Sequence, residues 1–198
     1  MFHRELREDG DSRRGSRALR MNWPLRIAHE EDAPALERLI EHVTRTSLSR
    51  CYSSAQLEAA LGPVFGLDRQ LIRDGTYFVA ENAEQIIACG GWSKRLAAYG
   101  GDRERAGADT ELNPQTDAAR VRAFFVHPDW ERRGIGASLL EASETAIRAA
   151  GFASIELVAS LAGEALYARH GYTVVERYDA PMPGGLTIAV VRMTKVLR

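Results

Sequence analysis

The stretch that most limits what this chain can become runs from Val121 to Leu140: Val-Arg-Ala-Phe-Phe-Val-His-Pro-Asp-Trp-Glu-Arg-Arg-Gly-Ile-Gly-Ala-Ser-Leu-Leu. Its first six residues are largely β-branched and aromatic, which suits a buried strand. Pro128 ends that strand, because proline has no N–H to give a ladder. A charged turn follows, then Gly134 and Gly136, and a helical pattern opens at Ala137. Strand, basic glycine turn and helix N-terminus in that order make an anion site. The first N–H groups of a helix lack internal partners, its dipole is positive there, and glycine lets a ligand approach the backbone. Arg132 and Arg133 add positive charge beside it.

What the turn lacks narrows the ligand. A Walker loop needs Lys-Ser/Thr after its second glycine, whereas Gly136 is followed by Ala137-Ser138-Leu139. A dinucleotide fingerprint needs its first glycine directly after the strand and a third one three residues past the second. Here seven residues separate Val126 from Gly134, and position 139 is leucine. Both readings fail.

The segment resembles the acetyl-CoA-binding segment of the GNAT superfamily, the acetyl-CoA-dependent N-acyltransferases. The signature of that family is Arg/Gln-x-x-Gly-x-Gly/Ala after a strand that ends in an apolar residue and often His-Pro or Asp-Pro. This chain has Glu131-Arg132-Arg133-Gly134-Ile135-Gly136 after Val126-His127-Pro128. Glutamate at 131 departs from the pattern, so no side-chain contact from that position to the pyrophosphate is carried over. The resemblance implies acetyl-CoA as co-substrate, with Arg132, Arg133, Gly134, Ile135, Gly136 and Ala137 around its pyrophosphate.

A second segment, Ala165-Leu166-Tyr167-Ala168-Arg169-His170-Gly171-Tyr172, resembles the family's Leu-Tyr-x-x-x-Gly-Phe, which closes the splayed sheet over the thioester. In many members that tyrosine protonates the departing CoA thiolate, so Tyr167 is the implied general acid. A thiolate needs a donor within about 3 Å, and a phenol of pKa about 10 can supply one as charge develops. The alternative is a tyrosine that only packs. Seven residues upstream, where many members place an asparagine on CoA, stands Ser160. Backbone N–H groups of Phe125 or Val126 are the implied oxyanion donors, where the central strand bulges and splays, and Phe124 lies beside them on the cofactor. Three readings of the general base stay open: Glu156 on the strand facing the acceptor, His127 with its suitable unperturbed pKa, and an ordered water.

Composition agrees with an ordinary soluble domain. At 198 residues, 45% apolar and 27% charged, the chain has mass enough for one core. A net charge of −1 excludes a broad electrostatic grip on nucleic acid or an anionic membrane. The two cysteines, Cys51 and Cys89, make neither a disulfide framework nor a metal site, and they suit a cytoplasmic protein. No apolar run reaches the length of a membrane span. The expected fold is mixed α/β: a GNAT-like twisted, mostly antiparallel sheet flanked by helices and splayed at the central strand. The expected activity moves acetyl directly to the primary amine of a small molecule. A protein or peptide acceptor, or a non-catalytic acyl-CoA sensor on the same fold, is the alternative, and a homodimer is left open.

Along the chain, residues 1–20 hold six arginines and four acids among few large apolar residues. They read as a disordered leader before a single domain at 21–198, with Met21 as a candidate natural start. A short strand at 24–28 precedes a helix with Asp32 as its expected cap, Pro34 in its first turn and a stripe of Leu36, Leu39, Ile40 and Val43. A second helix starts near Ser53-Ser54. The polar segment between them, 44–52, falls where the family walls its acceptor pocket. Residues 76–80 and 85–92 make a hairpin, and Gly90-Gly91 marks a bulge or a close ligand approach. Segment 93–119 reads as a surface loop or a substrate-side lid. Helices at 137–150 and 161–170, each closed by a glycine, alternate with a strand at 153–159 and a final hairpin of 172–178 with 186–196.

Overall fold

The apolar run at the end of the central strand lies at the middle of the molecule because both of its faces are covered. The computed structural model describes residues 23–83, 85–97 and 110–197. Among these, seven strands form one sheet: β1 (Leu25–Ile27), β2 (Tyr77–Asn82), β3 (Gln85–Ser93), β4 (Ala119–Val126), β5 (Ser154–Ser160), β6 (Thr173–Pro181) and β7 (Thr187–Val196). Their order is β1-β2-β3-β4-β5-β7-β6, antiparallel throughout except for β4 against β5. The helices are α1 (Ala33–Thr46), α2 (Ser54–Ala60), α3 (Arg69–Arg73), α4 (Ile135–Ala149) and α5 (Glu164–Arg169). This is the mixed, mostly antiparallel α/β architecture that the sequence predicts.

On one face, Leu36, Ile40 and Val43 of α1 pack with Tyr77, Cys89 and Phe125. On the other, Leu140 and Ile147 of α4 pack with Val121, Ile155 and Met193. The 3.6-residue stripes read from the sequence are thus the buried faces of these two helices. A third cluster joins Leu57 and Ala60 of α2 to Ile188 and Val190 of β7.

Two irregularities of β4 open the sheet. Cys89 pairs with Phe125 and Gly91 with Arg122, so Gly90 alone faces both Ala123 and Phe124. That is a bulge, and it kinks β4. Ala123 takes a left-handed φ of 56°, and its carbonyl accepts a hydrogen bond from the buried Tyr77 hydroxyl at 3.0 Å. A Cβ on Gly90 would stand 2.7 Å from the Phe124 ring, so it is this ring that requires glycine there. Beyond the bulge β4 and β5 part. They pair only at Ala119↔Ile155 and Arg120↔Glu156.

Two local expectations are corrected, and one short helix is added. Asp32 is no side-chain cap: its backbone is already helical, and its carboxylate accepts from the His29 N–H at 2.8 Å and from Arg26 at 2.7 and 2.9 Å. It closes a short 3-10 turn ahead of α1 instead. Helix α4 begins at Ile135, two residues before the apolar pattern opens, because a left-handed Gly134 (φ 86°) turns the chain directly into it. Helix α3, five residues long, escaped the sequence reading because it is too short to show a period. The ends of segment 93–119 bond to each other, Leu96 N–H to Thr110 O at 3.0 Å and Leu112 N–H to Lys94 O at 2.7 Å. Residues 98–109, and the expected leader 1–20, lie outside the described residues. Among the described residues no helix is long and apolar enough to cross a membrane.

Candidate active site

The parting of β4 from β5 leaves a wedge, and the wedge opens into a cavity of about 890 Å³. One end lies over the turn from β4 into α4. Arg132 there adopts φ 62°, Gly134 φ 86°, and Ser138 is the first N–H of the helix to bond back, to Gly134 O at 3.0 Å. The N–H groups of Ile135, Gly136 and Ala137 therefore face outward without helical partners. Left-handed residues alternating with ordinary ones form a concave row of N–H groups that suits an anion. No contact within 4 Å would block a Cβ on Gly134, so its glycine serves the backbone angle alone.

The aromatic and basic groups around the turn hold it in shape. Arg133 lies over the Trp130 ring at 4.7 Å, and Trp23 meets the same ring edge-on. The Trp23 indole N–H donates to the Arg133 carbonyl at 2.9 Å. Arg133 is thus turned onto Trp130, whereas Arg132 lines the cavity.

The middle of the wedge is walled by Phe124, Phe125 and Val126 on one side and Ala159 and Ser160 on the other. His127 N–H donates to Ile87 O on β3 at 2.8 Å. Strand alternation then points the Val126 N–H to the opposite edge, toward the gap that β5 has left. Tyr167, on α5, reaches the same space. Its ring packs edge-on against Phe124 and Tyr172, and among the described residues no protein group bonds its hydroxyl. Burial pushes its phenol well above the usual value, so the proton stays on the oxygen.

The far end is an apolar wall of Val43, Leu48, Val64, Phe65, Val158 and Val190. Its shape depends on Tyr52, buried, whose hydroxyl donates to Ala189 O at 2.8 Å and accepts from the Leu161 N–H at 2.8 Å. This ties the segment after α1 to β7 and to the end of β5. The floor holds a buried ion pair, Arg122 to Asp68 at 3.0 Å.

The cavity therefore gathers Phe124, Phe125, Val126, Arg132, Gly134, Ile135, Gly136, Ala137, Ser160 and Tyr167, and leaves out Arg133, Glu156 and His127. Glu156 shares its face of β5 with Val158 and Ser160, but its carboxylate is hydrogen-bonded by Arg120 and lies 3.7 Å from Arg192. His127 stacks on His42 at 4.9 Å, and its Nδ1 accepts the Asp129 N–H. Among the described residues no cluster of metal-ligating side chains occurs. The Ser47–Arg50–Glu131 contacts, the Arg122–Asp68 pair and the Tyr52 bridge had no signal in the sequence. Their partners lie 54 to 137 residues apart.

A splayed parallel pair with an anion turn at its end can take a long phosphate-bearing thioester, and the sequence profile of the acetyltransferase (GNAT) domain matches residues 73–174. The chain belongs to the GNAT acetyltransferase family. It is an N-acetyltransferase that uses acetyl-CoA as co-substrate. Solved structures share the GNAT fold. A GCN5-related N-acetyltransferase from Rhodopseudomonas palustris is 20% identical, with a TM-score of 0.65 over 89% of this chain and 96% of that one. The PaiA N-acetyltransferase from Thermoplasma acidophilum, solved with coenzyme A, is 15% identical, with a TM-score of 0.60 over 89% and 100%. A ribosomal-protein-alanine N-acetyltransferase from Brucella melitensis is 18% identical, with a TM-score of 0.58 over 88% and 99%. No curated protein matches the sequence.

Proposed function

We propose that this GNAT enzyme acetylates the primary amine of a small molecule carried on an apolar body. The observation that carries the reading is the wall of Val43, Leu48, Val64, Phe65, Val158 and Val190 at the far end of the wedge. A cationic polyamine would need carboxylates there, and the only one on the cavity lining among the described residues, Glu131, is already bonded by Arg50 and Ser47. A peptide acceptor would be served better by an open acidic groove.

In this reading the turn from Arg132 to Ala137 holds the pyrophosphate of acetyl-CoA by backbone N–H groups, and Ser160 donates to its pantetheine arm. The Val126 N–H donates to the thioester oxygen as negative charge develops there during amine attack. Tyr167 then donates to the sulfur that leaves. A phenol raised above pKa 10 is a weaker acid than a thiol of about 8.5, so its role is a hydrogen bond that strengthens with charge rather than an early, complete transfer. The amine's proton leaves through water, because Glu156 is held by Arg120 beside Arg192 and stands outside the cavity.

The fold of the Brucella ribosomal-protein-alanine enzyme supports the competing reading, a protein N-terminus as acceptor. Thiol release from acetyl-CoA, measured against apolar primary amines, polyamines, amino acids and alanine-terminated peptides, separates them. The apolar amines are expected to give the highest kcat/KM. A peptide at the top of that ranking overturns the small-molecule reading.

A further inference from the structure

Position 131 carries a negative charge in a turn read as a phosphate site, and a different element supplies the answering positive one. Arg50 ends the short helical segment after α1. Its Nε donates to Ser47 O at 3.0 Å, and its Nη2 donates to both carboxylate oxygens of Glu131, at 3.0 and 2.8 Å. The Ser47 hydroxyl donates to the same carboxylate, and Ser47 is buried. The guanidinium is therefore aimed by its neighbours, while Nη1 and its two N–H donors have no partner among the described residues. Its side chain is 64% exposed, and both Arg50 and Glu131 line the cavity beside Arg132, Gly134 and Gly136. A surface pair made only for stability would gain little. An arginine fixed by three bonds, with a free donor on a cavity that an anion turn also lines, is preorganised for a phosphate.

We propose that Arg50 is a binding residue for the phosphates of acetyl-CoA. Glu131 makes no phosphate contact. It positions Arg50 over the turn, so that the segment walling the acceptor pocket and the turn holding the cofactor close on one ligand. This rests on reading 132–137 as the pyrophosphate site.

The test compares two acyl donors, acetyl-CoA and S-acetylpantetheine, the same thioester without the phosphates and the adenosine they carry. Arg50→Gln is expected to lower kcat/KM for acetyl-CoA about tenfold, the worth of one charge-assisted hydrogen bond. With S-acetylpantetheine it should change nothing. Arg50→Lys should recover part of the loss, and Glu131→Arg added to Arg50→Gln should recover more, because the charge then returns from the turn itself. Equal losses with both donors would make Arg50 a structural residue and overturn the proposal. So would unchanged acetyl-CoA kinetics with a raised KM for a carboxylate-bearing amine, which would place Arg50 on the acceptor. Gly134→Asp keeps the two readings apart. If it abolishes coenzyme A binding by calorimetry while Arg50→Gln is neutral, the turn stands and only the Arg50 proposal falls. If Gly134→Asp binds as the native chain does, the pyrophosphate reading falls as well.

Discussion

The two ends of the wedge are built by different means. At the end proposed for acetyl-CoA, backbone geometry does the work: left-handed Arg132 and Gly134, the unpartnered N–H groups of α4, and a bulge whose Ala123 is also left-handed. At the end proposed for the acceptor, side chains do it, drawn from α1, the segment after it, β5 and β7. Backbone geometry restricts residue type at fixed spacing, which leaves a motif. A wall of valines, leucine and phenylalanine is met by any apolar residues of suitable volume, which leaves none. The common chemistry is thus written locally, and the proposed choice of amine rests on long-range packing.

The sharpest break of that comparison is Tyr167→Phe, which alters the chemistry and neither end. The ring keeps its contacts with Phe124 and Tyr172. Since no protein group among the described residues bonds the hydroxyl, its removal should leave the melting temperature unchanged. Turnover should fall by about 10²–10⁴-fold, the usual worth of a general acid, with the affinity for acetyl-CoA nearly kept. The raised phenol pKa fixes the pH signature. The acid form persists above about pH 10, so the native enzyme should show no loss of kcat assignable to Tyr167 on the alkaline side up to that pH. A tyrosine that only packs predicts the reverse, with turnover kept.

Gly90→Ala tests whether the wedge depends on the bulge. The added Cβ meets three atoms of the Phe124 ring at 2.7 to 2.9 Å. Either the ring moves into the wedge or β4 straightens. Overpacking of this kind costs about 1–3 kcal/mol, a drop of several degrees in melting temperature. Acetyl-CoA affinity should fall with it, because Phe124 lines the cavity. A variant that melts lower but binds acetyl-CoA normally would separate the wedge from the bulge.

The same contrast explains what could be read in advance. The order of strands and helices was legible because α1 and α4 each carry one apolar stripe, and because Gly151 and Gly171 stop α4 and α5 at left-handed angles. The turn at 132–137 was legible because glycine spacing after a strand is a backbone demand. Glu156 looked reachable, but sequence cannot show that Arg120 pairs with it across β4 and β5. Nor can spacing show that the odd glutamate at 131 faces an arginine 81 residues earlier. Tyr52 looked like linker polarity, and its two bonds depend on strands more than a hundred residues away.

The join between the two ends gives the smallest effect. Burial pushes the Glu131 carboxyl up, but the Arg50 and Ser47 donors outweigh it and leave the group below the usual carboxylate range. A carboxyl with a lowered folded pKa adds stability above its unfolded value of about 4.3 and loses it as pH falls through the folded one. Arg50 is mostly exposed, so the contribution is screened and should stay near or below about 1 kcal/mol. Glu131→Gln should therefore melt lower than the native chain by about 2–4 °C at most above pH 5. The gap should close as pH falls past the unfolded carboxyl's value and through the lower native one, where the native carboxyl also takes up its proton. Melting curves of both proteins across that range read the join directly. A gap that persists unchanged at the acid end would mean that the Glu131 charge does not hold the acceptor wall to the cofactor turn, and that shape alone joins them.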